Sequence, residues 1–326
     1  MLTIRARNVN EALYIGMIHM RSDNVRDVSP RGDATLEYVT PVATTYLNPC
    51  ERVLSSKVRD ANPFFHLMEA LWILAGRQDV AWLAQFNNRM REYSDDHEIF
   101  HAPYGYRLRT EAGFDQIETA IDLLKEDPST RRAVLQIWFA GRDLGADSKD
   151  IPCNDLVFCK IRDGKLNISV ANRSNDMVWG AYGANAVQFS VIQEYMAAKL
   201  DVKVGTYTQV SDSFHVYTGG MGGAVWNRLK DDHSGLIDYY QSDEINPFPL
   251  VKDPENFDKE LMAFVGDDPT EYKYAEPFLD FVAVPALIAW KAHKAGDITS
   301  ALNAVEAIIA PDWRIAMREW LERRQK

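Results

Sequence analysis

Cys153 follows Pro152 and stands just before the apolar run Leu156–Ile161, so its backbone is held between a ring-locked residue and a strand. A thiol fixed in that way can act as a soft nucleophile when deprotonated. Arg173-Ser174-Asn175-Asp176 follows, then Gly180 and Asn185, and later the triplet His215-Val216-Tyr217. So many polar residues in a strand-rich stretch point to a ligand-facing surface. Arg131-Arg132 stands at the entrance of an apolar strand, where forked guanidinium donors suit a phosphate or simple surface ion pairs. Arg31, in a loop with Pro30 and Gly32, either holds an anion or is a solvated charge. Glu69 sits inside the apolar run His66–Leu74, where a carboxylate is costly unless an arginine pairs with it or chemistry uses it. Two other thiols compete. Cys159 lies in an apolar strand and reads as core, while Cys50 has polar neighbours but no partner motif.

The elements that must carry these residues follow from periodicity and punctuation. Helices are predicted over Asn8–Met20, Phe64–Ala75 (capped by Asn62-Pro63 and stopped at Gly76), Asp79–Arg91, Gly113–Lys125 and Ala186–Lys199. Strands are predicted over Thr35–Tyr46, with Pro41 marking an edge or bulge, and over Ala133–Trp138, Leu156–Ile161, Leu166–Ala171 and Val202–Val210. Residues 27–33, His101–Arg109 and Asp163-Gly164 read as loops or turns, and Gly219–Gly223 as a flexible turn into Ala224–Lys230. Residues 231–275 are acidic and proline-marked, and look like surface insertions. Helices Phe278–Ala295, Ile298–Ala310 and Trp313–Arg323 follow. Neither a repeat nor a linker divides the chain. The expectation is one α+β domain over 1–326, its core at about 25–220, with insertions and C-terminal helices over 221–326.

Composition narrows the function classes. The chain of 326 residues is 46 % apolar and 25 % charged, an ordinary globular balance. A net charge of −11 disfavours binding to nucleic acid. Three cysteines, an N-terminus without an apolar export run and no apolar stretch long enough to span a bilayer predict a cytoplasmic protein with free thiols and no membrane contact. No metal is expected.

Taken in order, Arg-Arg before a strand, Pro-Cys, Arg-Ser-x-Asp, Gly, Asn and His-x-Tyr resemble the thymidylate synthase and pyrimidine-nucleotide hydroxymethylase superfamily. Glu69 in Glu-Ala-Leu-Trp-Ile-Leu and Tyr104 in Pro-Tyr-Gly-Tyr-Arg extend the likeness, which spans about residues 25 to 220. The resemblance implies that family's fold, a mixed sheet packed by helices. It implies that Cys153, with its thiolate favoured by nearby Arg173, adds to C6 of a pyrimidine nucleoside monophosphate. Arg31, Arg131, Arg132, Arg173 and Ser174 would hold the phosphate, with Arg131 and Arg132 supplied across an obligate homodimer. His215 and Tyr217 would bind the sugar, Asn154 would lie near the base, and Asp176 and Gly180 would shape the base and folate pocket. Glu69 would organise water and protons, and Tyr104 the waters that take the C5 proton. Asn185 would read the base, since a carboxamide accepts from uracil N3–H and donates to O4. The connection Ala181–Ala184 is one residue longer than the synthase pattern. The implied one-carbon donor is 5,10-methylenetetrahydrofolate.

Departures from the synthase pattern separate two outcomes, hydride transfer to give a methyl group or water attack to give a hydroxymethyl group. Met90 and Tyr93 stand where the synthase has folate-walling tryptophans, and Asn154 where it has histidine after the cysteine. The C-terminal stretch Trp320–Lys326 is charged where the synthase has an apolar lid. Hydride transfer needs water excluded, so hydroxymethylation of dUMP is the expectation. dCMP, CMP and methyl formation on dUMP stay as alternatives, as does a catalytically inactive nucleotide-binding relative. A cysteine hydrolase using His215 fails, because no motif supplies an oxyanion hole or an orienting acid.

Overall fold

A mixed sheet carries every strand that meets the site. The computed structural model describes residues 1–241, 245–266 and 269–325. Among these, the strands are β1 (Leu2–Ala6), β2 (Val25–Val28), β3 (Thr35–Tyr38), β4 (Val42–Tyr46), β5 (Val134–Gln136), β6 (Asn154–Arg162), β7 (Lys165–Asp176) and β8 (Lys203–Tyr217). The spatial order is β1-β4-β8-β7-β6-β5, with β3 also on β8 and β2 on β3. β1 is parallel to β4 and β7 to β8, while β4/β8, β6/β7 and β5/β6 are antiparallel. The α+β class with a mixed sheet is therefore what the sequence folds into.

The β6–β7 hairpin closes at Asp163-Gly164, whose φ values of 53° and 68° are those of a two-residue turn matched to strand twist. β7 and β8 are longer than their apolar cores, because the polar motifs continue the ladders. Ser174 pairs with Ser213 and Asp176 with His215. The start of β6 and the ends of β7 and β8 thus gather Cys153, Arg173–Asp176 and His215–Tyr217 at one end of the sheet.

Helices cover one face. Asn62 accepts from the backbone N–H groups of Phe64 and Phe65 and caps Pro63–Leu74, whose first-turn proline gives up an N–H that needs no partner there. That helix is buried nearly all round and packs on Asn185–Lys199, which covers the sheet. Asn8 caps Val9–Met20 in the same way. The C-terminal helices Val284–Lys294, Ile298–Glu306 and Pro311–Glu322 dock through Trp290 and Trp320 on Phe64, at centroid distances of 5.5 and 5.6 Å. A single apolar cluster reaches from Ile4 to Leu321. Among the described residues no helix is long and apolar enough to cross a membrane.

Several boundaries differ from expectation. Thr35–Tyr46 is two strands, because Pro41 cannot donate to a ladder, and β3 and β4 meet different segments of β8. Residues 27–33 contribute part of a strand, β2, and a short 3-10 turn at Pro30–Gly32. His101–Arg109 is not all loop, since Tyr104–Tyr106 begins a helical turn that widens over Arg107–Glu111. The helix expected over Asp79–Arg91 breaks into Val80–Phe86 and Met90–Tyr93. Gly219–Gly223 mostly belongs to the helix Gly220–Lys230.

Candidate active site

The gathered strand ends open into a cleft of about 630 Å³. Its wall includes Glu69, Tyr104, Cys153, Ser174, Asp176, Gly180, Asn185 and Tyr217. These eight come from seven separate elements or loops, and the fold alone brings them together.

Cys153 lies half-buried on the segment leading into β6. Arg173, two strands' width away in sequence but adjacent in the sheet, donates from Nε to the Pro152 carbonyl at 2.8 Å and from Nη2 to the Ile151 carbonyl at 3.1 Å. Those bonds clamp the loop carrying the thiol, and they leave Nη2 3.9 Å from Cys153 Sγ. A fixed cation beside a thiol favours its thiolate. The backbone N–H of Cys153 donates to the Tyr104 hydroxyl at 3.3 Å. Cys159 and Cys50 are unsuited to the same task, because burial pushes each thiol up to about 12.

Glu69 forms the back wall from the helix Pro63–Leu74. It is 8 % exposed, and burial pushes its carboxyl up to about 7, against the lowering effect of one hydrogen bond, 2.8 Å from Gln188 Nε2 to Glu69 Oε2. The partner is thus an amide, not the arginine that a purely structural reading required. Gln188 Oε1 is buried with no partner among the described residues. Tyr104 reaches the same wall because Gly105 lets its loop touch the helix. A Cβ on Gly105 would lie 2.0 Å from the Ile73 carbonyl oxygen.

Met177–Ala184 forms wide π-type turns kinked at Tyr182 and Gly183, and feeds directly into Asn185–Lys199. This geometry takes up the extra residue in Ala181–Ala184 and still delivers Asn185 to the cleft. Asp176 caps the segment by accepting from Trp179 N–H, and its Oδ2 is buried without a partner among the described residues. Burial raises its pKa, which His215 and Arg59 partly offset.

Other expected residues stand elsewhere. Asn154 is fully buried, its amide nitrogen donating to Asn172 Oδ1 on the neighbouring β7, and it does not line the cleft. His215 is 7 % exposed behind Tyr217, edge-on to its ring at 5.5 Å, with Ser213 Oγ 3.3 Å from Nδ1. Arg131 and Arg132 are exposed and outside this chain's own cleft. The backbone of Arg31 lies in the Pro30–Gly32 turn, and its side chain falls outside the described residues.

The cleft also holds residues that sequence reading passed over. Asp150 lines it with Oδ2 accepting from Ala102 N–H at 2.8 Å, its carboxyl raised by burial. Asn175 is the unspecified position of Arg-Ser-x-Asp, and Asn87, Arg89 and Gln188 carry no motif at all. Only the Asp-Ile-Pro-Cys adjacency hinted at Asp150. Met90 and Tyr93 do reach the wall, together with Trp72, Leu83, Phe100 and Trp179.

Comparison with known proteins extends this picture. The family model described as Thymidylate synthase matches residues 46–262. A protein of Pseudomonas phage M6 named "Deoxyuridylate hydroxymethyltransferase" is 42 % identical over 340 aligned positions, covering 100 % of this chain and 95 % of the phage protein. A protein of the same name from Bacillus phage SP01 is 41 % identical over 238 positions, covering 70 % of this chain and 62 % of its own length. A "Putative thymidylate synthase" of Methanosarcina barkeri is 29 % identical over 221 positions, covering 66 % of this chain and 88 % of its own length.

Proposed function

Since this chain belongs to the thymidylate synthase family, we propose that it is a deoxyuridylate hydroxymethyltransferase, the name carried by its full-length phage relative. The observation that carries the chemistry is the meeting of Cys153, Glu69 and Asn185 in one cleft.

The family's one-carbon donor, 5,10-methylenetetrahydrofolate, fits the residues present. The cleft has room for a nucleotide and a flat ring, Trp72, Leu83, Met90, Phe100 and Trp179 offer apolar surface, and the unpartnered Asp176 Oδ2 is an acceptor for ring N–H groups. When bound, the folate supplies a carbon at the formaldehyde oxidation level.

Cys153 Sγ bonds to C6 of the uracil ring, and the electron pair of the C5–C6 double bond moves toward C5 and O4. Arg173 holds its positive charge beside the attacking sulfur, and Ser174 stands ready for the phosphate. Once C5 carries the one-carbon unit, water held by Tyr104 and Glu69 would take its proton, and the freed electron pair would form an exocyclic carbon–carbon double bond as the carbon's bond to its carrier breaks. Water next adds its oxygen to that exocyclic carbon, and expulsion of Cys153 from C6 restores the ring. The sum is dUMP, one methylene carbon and one water giving 5-hydroxymethyl-dUMP, with the carrier leaving as tetrahydrofolate because no hydride has moved. Glu69 and Asp150 put two carboxyl groups on this wall, a polar surface that suits attack by water in the second half of the reaction. Asn185 reads uracil, and His215 orients Tyr217 at the sugar.

The phosphate site is completed by a second copy. Val134, Phe158 and Val210, 36–44 % exposed, lie on the sheet face opposite the helices and offer an apolar surface to a twin. Arg131 and Arg132 are exposed and stand just before β5, which carries Val134.

Incubation with dUMP and methylenetetrahydrofolate, followed by mass spectrometry, is the test. A product one oxygen heavier than dTMP, without dihydrofolate absorbance, is expected. Formation of dTMP with stoichiometric dihydrofolate overturns the assignment.

A further inference from the structure

Reading uracil with a carboxamide has a hidden requirement, because the two ends of the amide are nearly alike in size. Oxygen toward N3–H and nitrogen toward O4 suits uracil. The same amide turned over donates to N3 and accepts from N4–H₂, which suits cytosine. Specificity therefore depends on what stops Asn185 from turning over.

A chain of buried hydrogen bonds runs from Asn185 to a fixed end. Asn185 Nδ2 donates to Asn175 Oδ1 at 3.1 Å. Asn175 Nδ2 donates to Gln209 Oε1 and to Ser211 Oγ, both at 3.0 Å. Gln209 Nε2 donates to the Tyr46 hydroxyl at 2.6 Å and to the Ala181 backbone carbonyl at 2.8 Å. The Tyr46 hydroxyl spends its own proton on the same carbonyl at 2.7 Å. A backbone carbonyl can only accept, so the nitrogen of Gln209 must face it. The oxygen of Gln209 then faces Asn175, the nitrogen of Asn175 faces Gln209, and its oxygen faces Asn185. Ser211 fixes nothing, because a hydroxyl donates or accepts by rotating its proton. Asn175, Gln209 and Ser211 are each 1 % exposed, so water does not repair a mismatch. Gly180 leaves space for the first link. A Cβ there would lie 2.6 Å from Asn175 Oδ1 and 3.2 Å from Asn185 Nδ2.

We infer that Asn175 and Gln209 are positioning residues that select uracil over cytosine by transmitting the polarity of the Ala181 carbonyl to the Asn185 amide. The inference rests on the reading of Asn185 as the base-reading residue and goes beyond it.

The test compares dUMP with dCMP, each beside methylenetetrahydrofolate, through C5 tritium release, with dissociation constants where turnover is too slow to follow. Gln209→Met keeps the volume and removes the polarity, and its dUMP-to-dCMP ratio is expected to fall about 10- to 100-fold, dCMP holding or improving. Asn175→Ala, which is less demanding on the core, moves the ratio the same way and carries the test alone should Gln209→Met not fold. An equal loss on both nucleotides in Gln209→Met and Asn175→Ala overturns the relay, since a merely structural role does not distinguish bases. Asn185→Asp separates the two levels. If it fails to move preference toward dCMP, the reading of Asn185 itself is wrong. If it succeeds while Gln209→Met and Asn175→Ala leave the ratio unchanged, only the relay falls.

Discussion

Burial gives Glu69 a pH signature that can be read without any substrate. Its carboxyl titrates at about 7 in the folded chain against 4.5 for an unhindered glutamate. Between those values the folded state holds a proton that the unfolded state has released, so this residue makes stability fall as pH rises, levelling off above 7. The full effect is about 3 kcal/mol. Glu69→Gln cannot ionise, so its stability relative to the wild type is expected to improve from pH 4 to pH 8 in urea unfolding; a constant difference rules the account out. The same variant is expected to lose about 10²- to 10³-fold in kcat, because the waters around C5 then lack their proton acceptor. The thiols sort themselves by a similar argument. With 5-fluoro-dUMP and methylenetetrahydrofolate, whose C5 fluorine cannot leave as a proton, a covalent adduct is expected on intact protein mass spectra. Cys50→Ala and Cys159→Ala keep that adduct, and Cys153→Ala abolishes it. An adduct surviving in Cys153→Ala places the nucleophile elsewhere.

At the scale of elements, what the sequence made legible was what each segment decides locally. Asn62-Pro63 and Gly76 bounded a helix to within a residue, and Asp163-Gly164 marked the hairpin, because capping and positive φ are local chemistry. β1 and β2 escaped notice, since both are short and partly polar, Leu2–Ala6 is held by the sequence-distant β4, and Val25–Val28 runs into a proline- and glycine-marked loop. The site divided along the same line. Cys153, Arg173 and Asn185 announced themselves by motif, whereas Asp150, Asn175 and Gln188 acquire meaning only from what folding sets opposite them. Asn154 is adjacent to Cys153 in the chain, but its side chain is taken up by a buried bond to Asn172 on β7, a partner that only the sheet sets beside it. The contact between the Tyr104 turn and the helix Pro63–Leu74 shows how tightly these elements are set. A methyl on Gly105 would collide with the Ile73 carbonyl, which is backbone and cannot swing aside. Gly105→Ala is expected to cost about 1–3 kcal/mol and to lower kcat more than dUMP affinity, since Tyr104 and Glu69 are displaced while the phosphate residues stay. Unchanged thermal stability and turnover in that variant contradict the packing described.

The whole molecule supplies the last test, because one chain's cleft lacks its two exposed arginines. If Arg131 and Arg132 serve the neighbouring site, a dimer of Arg131→Ala/Arg132→Ala chains fails for want of phosphate binding, and a dimer of Cys153→Ala chains fails for want of a nucleophile. Mixed and allowed to exchange, the two inactive proteins form heterodimers in which one site has an intact Cys153 and receives intact arginines from the other chain. Random pairing makes half the dimers mixed, each with one working site, so roughly a quarter of wild-type activity is expected to return. Phe158→Glu added to both chains sets charges against each other on the open sheet face and is expected to abolish that recovery, with light scattering reporting single chains. If the arginines instead act within their own chain, the mixture stays inactive whatever the oligomeric state, because neither site then holds both a thiol and a phosphate clamp. The recovered fraction, and its loss in Phe158→Glu, therefore distinguishes a shared site from two self-sufficient ones.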